Sequence, residues 1–201
     1  SVSAYLKSPP HGRETPKNLD THRLKNYIAV EGDAACKGAE KRARELGYNT
    51  VILSSMFEGE SRELGRSFAF IAKEVLANGR PFRAPCAFIG GGETVVTIRD
   101  GEGQGLGGPN QEFALGAALE IEGLNDVVIA GLDADGTDGP TTFAGGMVDG
   151  TSAKRCRAAG TDPFSFIRNH DASAVLQVME DIFITGNTGT NVNDLKILLV
   201  R

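Results

Sequence analysis

The chain has 201 residues, 40% of them hydrophobic, 26 of them glycine and none tryptophan, with a formal net charge of −5. That length and composition support one sizeable α/β core built mainly from Ala, Val, Ile and Leu. The acidic balance argues against a nucleic-acid partner, and no apolar run approaches the roughly 18 residues of a membrane-spanning helix. Three widely spaced cysteines, Cys36, Cys86 and Cys156, form neither a CxxC pair nor an even disulfide set, which points to a reduced, cytoplasmic setting.

In chain order, residues 1–25 hold Pro9, Pro10, Gly12 and Pro16 with little periodicity. They read as a connector from an N-terminal region, leaving 26–201 as the globular unit. The run 26–30 is a first strand candidate, and 34–46 a helix with Ala35, Ala39, Ala43 and Leu46 on one stripe, stopped by Gly47. A strand at 49–53 would complete a βαβ unit. Leu64, Phe68, Ile71, Ala72, Val75 and Leu76 predict a helix over 61–77. Strands follow at 86–89 and 93–98, too close together for a helical crossover, so parallel strands early should give way to a mixed sheet later. A helix is expected from Asn110 to residue 119 or 121, a strand at 126–130, and short helices at 151–159, from Asp162–Pro163 and at 172–179. Strands at 182–185 and 195–200 close the chain. The fold class is therefore α/β, layered, with a mixed sheet.

Four polar segments carry the candidate chemistry. Gly90, Gly91 and Gly92 remove every side chain from a turn that ends on Glu93, a carboxylate able to accept substrate hydroxyls or reach a magnesium ion. Equally, it is a tight turn with a solvated Glu93. Gly101, Gly103, Gly105, Gly107 and Gly108 precede a helix start at Asn110 and Gln111, an arrangement that exposes amides to a phosphate. No Gly-Lys-Ser/Thr follows, so it is not a P-loop, and the dinucleotide fingerprint is incomplete. Asp133, Asp135 and Asp138 cluster just after a strand, where open α/β sheets bind ligands. They could share a divalent cation with phosphate oxygens or act as a base. Alternatively, they form a solvated turn whose mutual repulsion is screened. Residues 185–194 are dense in Thr, Asn and Gly and offer phosphate donors or self-bonded turns. The acidic and Thr/Asn-rich loops lack Lys and Arg, although phosphoryl transfer needs a cation to meet developing charge.

Taken together, Gly90-Gly91-Gly92-Glu93-Thr94, Gly107-Gly108-Pro109-Asn110-Gln111-Glu112-Phe113, Asp135-Gly136-Thr137-Asp138-Gly139-Pro140-Thr141 and Thr188-Gly189-Thr190-Asn191-Val192-Asn193-Asp194-Leu195 resemble the type 2 glycerate kinases, which carry the MOFRL domain. Glu14-Thr15-Pro16-Lys17 and Glu58-Gly59-Glu60 resemble that family too. The resemblance implies the C-terminal portion of a two-domain kinase that uses ATP and Mg2+ to phosphorylate D-glycerate at the 2- or 3-position. The cleft would lie between this chain and an N-terminal domain that carries a family lysine, so this chain alone is expected to be inactive.

Carried over residue by residue, the resemblance implies catalytic roles for Glu93, Asp135 and Asp138, with Asp135 and Glu93 at the metal. It implies substrate or phosphate contacts from Gly91, Gly92, Gly107, Gly108, Asn110, Gln111, Thr190 and Asn191. One departure stands out: the family's arginine is replaced by Pro109, which has neither charge nor donor. Two other readings stay open: a non-catalytic ligand-binding or structural domain, and the hydroxypyruvate reductase for which some members are named. A homo-oligomer is left open as well.

Overall fold

The computed structural model describes residues 5, 7, 25, 27–101, 103 and 105–201. Most of the expected connector, Asn26 and the Glu14–Lys17 motif lie outside the described residues. The element order is α1 (Gly32–Glu45), β1 (Asn49–Phe57), α2 (Ser61–Asn78), β2 (Cys86–Gly92), α3 (Pro109–Glu120), β3 (Val127–Asp133), β4 (Gly145–Asp149), α4 (Ser152–Ala158), α5 (Pro163–Arg168), α6 (Ala172–Met179), β5 (Ile182–Phe183) and β6 (Asp194–Val200).

The strands form one sheet in the order β1-β2-β6-β3-β4-β5. β1 and β2 run parallel through α2, as a helical crossover requires. β6 inserts between β2 and β3, antiparallel to both, and β3, β4 and β5 continue antiparallel. The sheet is thus mixed, and it is mixed because the last strand enters its middle.

That insertion explains why the strand expected at 93–98 is absent. β2 already has β1 on one edge and β6 on the other, so no edge remains for a hairpin partner; beyond Gly92 only a single bridge joins Val95 to Glu60. The run at 27–30 is likewise no strand: Tyr27 and Ile28 are largely exposed and pair with no ladder. The opening βαβ unit is β1-α2-β2 instead.

The core lies between the sheet and the α2/α3 layer. Phe68, Phe88, Phe113, Leu115, Ile129 and Leu198 fill it, and Phe57, Phe68 and Phe113 stack edge to face at 5.9 and 5.2 Å. α3 is buried from Asn110 through Ala118, because sheet, α2 and α6 surround it. α2 and α3 approach closely: a Cβ on Gly116 would lie 2.6 Å from the Arg62 carbonyl oxygen, and one on Gly65 would strike the Phe113 carbonyl. α1 packs on the opposite face against β1 and β2 through Cys36 and Ala43. Asp162 caps α5 by accepting from the Phe164 amide at 3.1 Å, with Pro163 in the first turn.

Candidate active site

The register of three strands brings the polar motifs to one end of the sheet. Gly92 at the end of β2 and Asp133 at the end of β3 both pair with Asp194 at the start of β6. Neighbouring strands are about 4.8 Å apart, so residues following β2 and β3 emerge at the same end of the sheet, on either side of β6 and about 10 Å apart. Glu93 comes next after Gly92, exposed, its amide donating to the Phe57 carbonyl at 2.9 Å. It lines an open cleft of about 520 Å³ with Ser55, Phe57, Gly92 and Asn193. Loop 185–193 folds over the acidic loop: Thr188 donates its amide to the Asp135 carbonyl at 3.1 Å, and Asn191 donates Nδ2 to Asp135 Oδ2 at 3.4 Å. Thr190, exposed, bonds back to Thr188. Glu93, Asn110, Asp135 and Asn191 therefore share one end of the sheet.

The three glycines of β2 are strand residues rather than a turn. A Cβ on Gly90 would meet the Phe57 ring, one on Gly91 the Cys36 sulfur, and one on Gly92 the Phe57 backbone. At φ 129°, Gly92 also adopts a conformation that L side chains avoid. Packing against β1 and α1 by itself explains glycine at 91 and 92, both buried.

At the start of α3 the amides already hold an anion, and it belongs to the protein. Asp138 Oδ1 accepts from the Asn110 amide and from Asn110 Nδ2, both at 3.0 Å, and Oδ2 accepts from the Gln111 amide at 2.9 Å and from Gln111 Nε2 at 3.0 Å. Burial pushes the Asp138 carboxyl above its ordinary value, while these four donors oppose the shift. Gly108 is glycine because a Cβ there would collide with this carboxylate; Gly107 backs onto Ala172. Gln111 also donates to Thr141 Oγ1 at 3.1 Å and accepts from Ser173. Asp138, Asn110 and Gln111 are each about 1% exposed or less. Expected from sequence to act at the substrate, these three side chains are buried against one another and hold loop 134–144 against α3.

The carboxylates nearer solvent behave differently. Asp133 accepts from the Asp135 amide at 3.1 Å, and Asp135 Oδ1 accepts from the Thr137 amide at 2.8 Å and its hydroxyl at 2.7 Å. Burial raises the Asp133 carboxyl to about 6, with the charges of Asp194, Asp135 and Asp138 adding to the rise against the Asp135 amide.

A group the sequence reading passed over completes the cluster. Lys196 is fully buried and donates to Asp194 Oδ2 at 3.0 Å and to Asn110 Oδ1, while Asn110 Nδ2 donates to Asp194 Oδ1 at 2.9 Å. Asp194 and Lys196 share a strand face with Leu198 and Val200, all buried. A charged pair at i, i+2 on an otherwise apolar face was the available signal.

Below the glycine-rich loop lies a second hollow of about 390 Å³, bordered by Gly107, Gly108 and Pro109. At its base His170 Nδ1 lies 2.6 Å from Glu112 Oε1, both buried.

Among the described residues, no group of three or more His, Cys, Asp or Glu side chains is set to hold a metal by itself, and no helix is long and apolar enough to cross a membrane. Mg2+ needs less than such a cage, since it commonly takes one or two carboxylates and completes its shell with phosphate oxygens and water. The half-buried, charge-crowded Asp133–Asp135 turn fits that demand, because a cation would offset the neighbouring carboxylate charges, which add to the burial that lifts Asp133.

This α/β architecture and its motif order define a class: residues 86–194 match the MOFRL family, and the chain belongs to it. It is 44% identical over 191 residues to the D-glycerate 2-kinase of Thermotoga maritima, covering 94% of this chain and 44% of that protein. It is 39% identical over 202 residues to the glycerate 2-kinase of Pyrococcus horikoshii, covering 100% of this chain and 45% of that one. The crystal structure of the Thermotoga maritima glycerate kinase superposes with a TM-score of 0.85 at 43% identity, over 94% of this chain and 44% of that one. A Pyrococcus horikoshii crystal structure gives 0.82 at 40% identity, over 88% of this chain and 40% of that one. The chain thus spans less than half the length of these relatives.

Proposed function

We propose that this chain supplies the acidic wall of an interdomain cleft in which a kinase phosphorylates D-glycerate with ATP and Mg2+. An N-terminal domain, corresponding to the length its relatives have in addition, would form the other wall. The observation that supports the reading is the register Gly92–Asp194–Asp133, which brings Glu93 and the loops of Asp135 and Asn191 to the same end of the sheet, where Glu93 and Asn193 line a cleft. The kinship with D-glycerate and glycerate 2-kinases supports the substrate.

In this reading Glu93 and Asp135 would hold the metal, which when bound neutralises charge on the phosphoryl group being transferred. Glu93, exposed at the cleft floor, accepts hydrogen bonds from glycerate hydroxyls. Asn191 and Thr190 offer amide and hydroxyl donors to substrate oxygens, and the Asn191 bond to Asp135 keeps that carboxylate turned toward them. Asp138, with Asn110, Gln111, Gly107 and Gly108, keeps the loop under them in register. Because Asp138 holds the amides of α3, phosphate is steered to the mouth. The same occupancy disfavours hydroxypyruvate reduction by this chain, since a dinucleotide's pyrophosphate uses such amides. Three free, buried thiols agree with a cytoplasmic setting.

The test uses the full-length protein carrying this chain, with ATP, Mg2+ and D-glycerate followed by 31P NMR. Phosphoglycerate and ADP should appear together, and Asp135→Asn should lower kcat about 100-fold. Pro109→Arg, which adds a cation beside Glu112, should raise turnover; an unchanged rate would assign the charge to another residue. Folded protein that binds glycerate or ATP without transfer would establish the non-catalytic reading, and NADH oxidation with hydroxypyruvate the reductase.

A further inference from the structure

Lys196 occupies a core position and does a polar job there. Its ammonium lies 5.3 Å above the Phe113 ring centroid and shows no exposure to solvent, so it cannot touch a substrate in the cleft. Stability alone is a poor reason for it. Buried ion pairs roughly break even with apolar side chains of similar volume, and Leu198 and Val200 fill the neighbouring positions of the same strand face. What the ammonium does is join three segments at one point. It bonds Asp194 on β6 and Asn110 on α3, and Asn110 in turn bonds Asp138 on loop 134–144 at 3.0 Å. It also sets one positive charge beneath three carboxylates. Asp133 and Asp194 face each other across adjacent strands, a placement that is repulsive without a counter-charge, and Asp138 lies two hydrogen bonds away, through Asn110.

We propose that Lys196 is the positioning residue of the candidate active site: its clamp on Asn110 and Asp194 holds the acidic loop so that Asp133 and Asp135 stay gathered at the end of the sheet that carries Glu93. The structural claim stands on the clamp itself; its catalytic consequence rests on the kinase reading above.

The experiment compares the full-length protein with Lys196→Met, which keeps length without charge, and Lys196→Gln, which keeps a donor without charge. Amide hydrogen exchange should quicken at least about tenfold at Asn110, Gln111, Asp135 and Thr137, while α2 amides of the same core keep their protection. Glycerate phosphorylation should fall about 100-fold in kcat with KM little changed, as small displacements of catalytic groups do. Unchanged exchange at those four amides would overturn the proposal. So would a uniform rise across the chain, or loss of fold in both variants, because Lys196 would then merely hold the core together. Loosening of the loop in variants of a parent that transfers no phosphate would remove the kinase reading and leave the clamp standing.

Discussion

Asp138 accepts from four buried donors and is itself about 1% exposed. Removing the carboxylate strands the backbone amides of Asn110 and Gln111 at the start of α3, while their side-chain amides keep Asp194 and Thr141. Leaving buried donors without partners costs about 1–3 kcal/mol per group. Asp138→Ala should therefore lower stability by about 3 kcal/mol and the melting temperature by about 10 °C, as differential scanning calorimetry would show. Asp133 calls for the opposite sign. Its folded carboxyl titrates near about 6, whereas an unfolded Asp titrates near about 3.9. Below both values each state is protonated and nothing differs. Between them the unfolded chain has released its proton and the folded chain has not, so stability falls as pH rises and levels off above about 6. In chelator-containing buffer Asp133→Asn should raise the urea midpoint at pH 8, and the gain should vanish by about pH 4. A gain that persists at the acid end would show that packing, not charge, sets the effect.

At the scale of elements, two helices cross through glycine. Helix propensity alone favours Ala over Gly by about 1 kcal/mol, yet a Cβ at Gly116 would lie 2.6 Å from the Arg62 carbonyl oxygen. Forcing an extra methyl into a packed interface costs about 1–3 kcal/mol, so the crossing outweighs the propensity. Gly116→Ala should lower the urea midpoint, with a net loss of about 1–2 kcal/mol; a gain would mean that α2 and α3 separate without cost. Strand β4 shows why one element escaped sequence reading. Gly145 and Gly146 supply no strand propensity, and the ladder to β3 exists because a bare backbone at Gly145, φ 153°, fits against Gly131.

Across the whole molecule, the segments that meet at the sheet end, 90–98, 131–138 and 185–194, contain neither Lys nor Arg. Lys196, the cation beside them, is sealed in the core. If phosphoryl transfer needs a cation at the cleft, this 201-residue chain by itself should give no phosphoglycerate above background while retaining a folded circular dichroism spectrum. The full-length protein should transfer phosphate under identical conditions, and turnover by the isolated chain would show that the site is complete within it.

Local periodicity and punctuation in the sequence determined the helices, the buried run 86–89, the Asp162–Pro163 helix start and the polar motifs, because each is written in neighbouring residues. Which strands pair was decided only in three dimensions. β6 enters between β2 and β3, removes the edge that 93–98 needed, and sets Lys196 beneath Asp194 and Asn110. Such a choice rests on contacts between residues more than 80 positions apart, such as Asn110 and Asp194, whose value depends on the entire sheet closing at once.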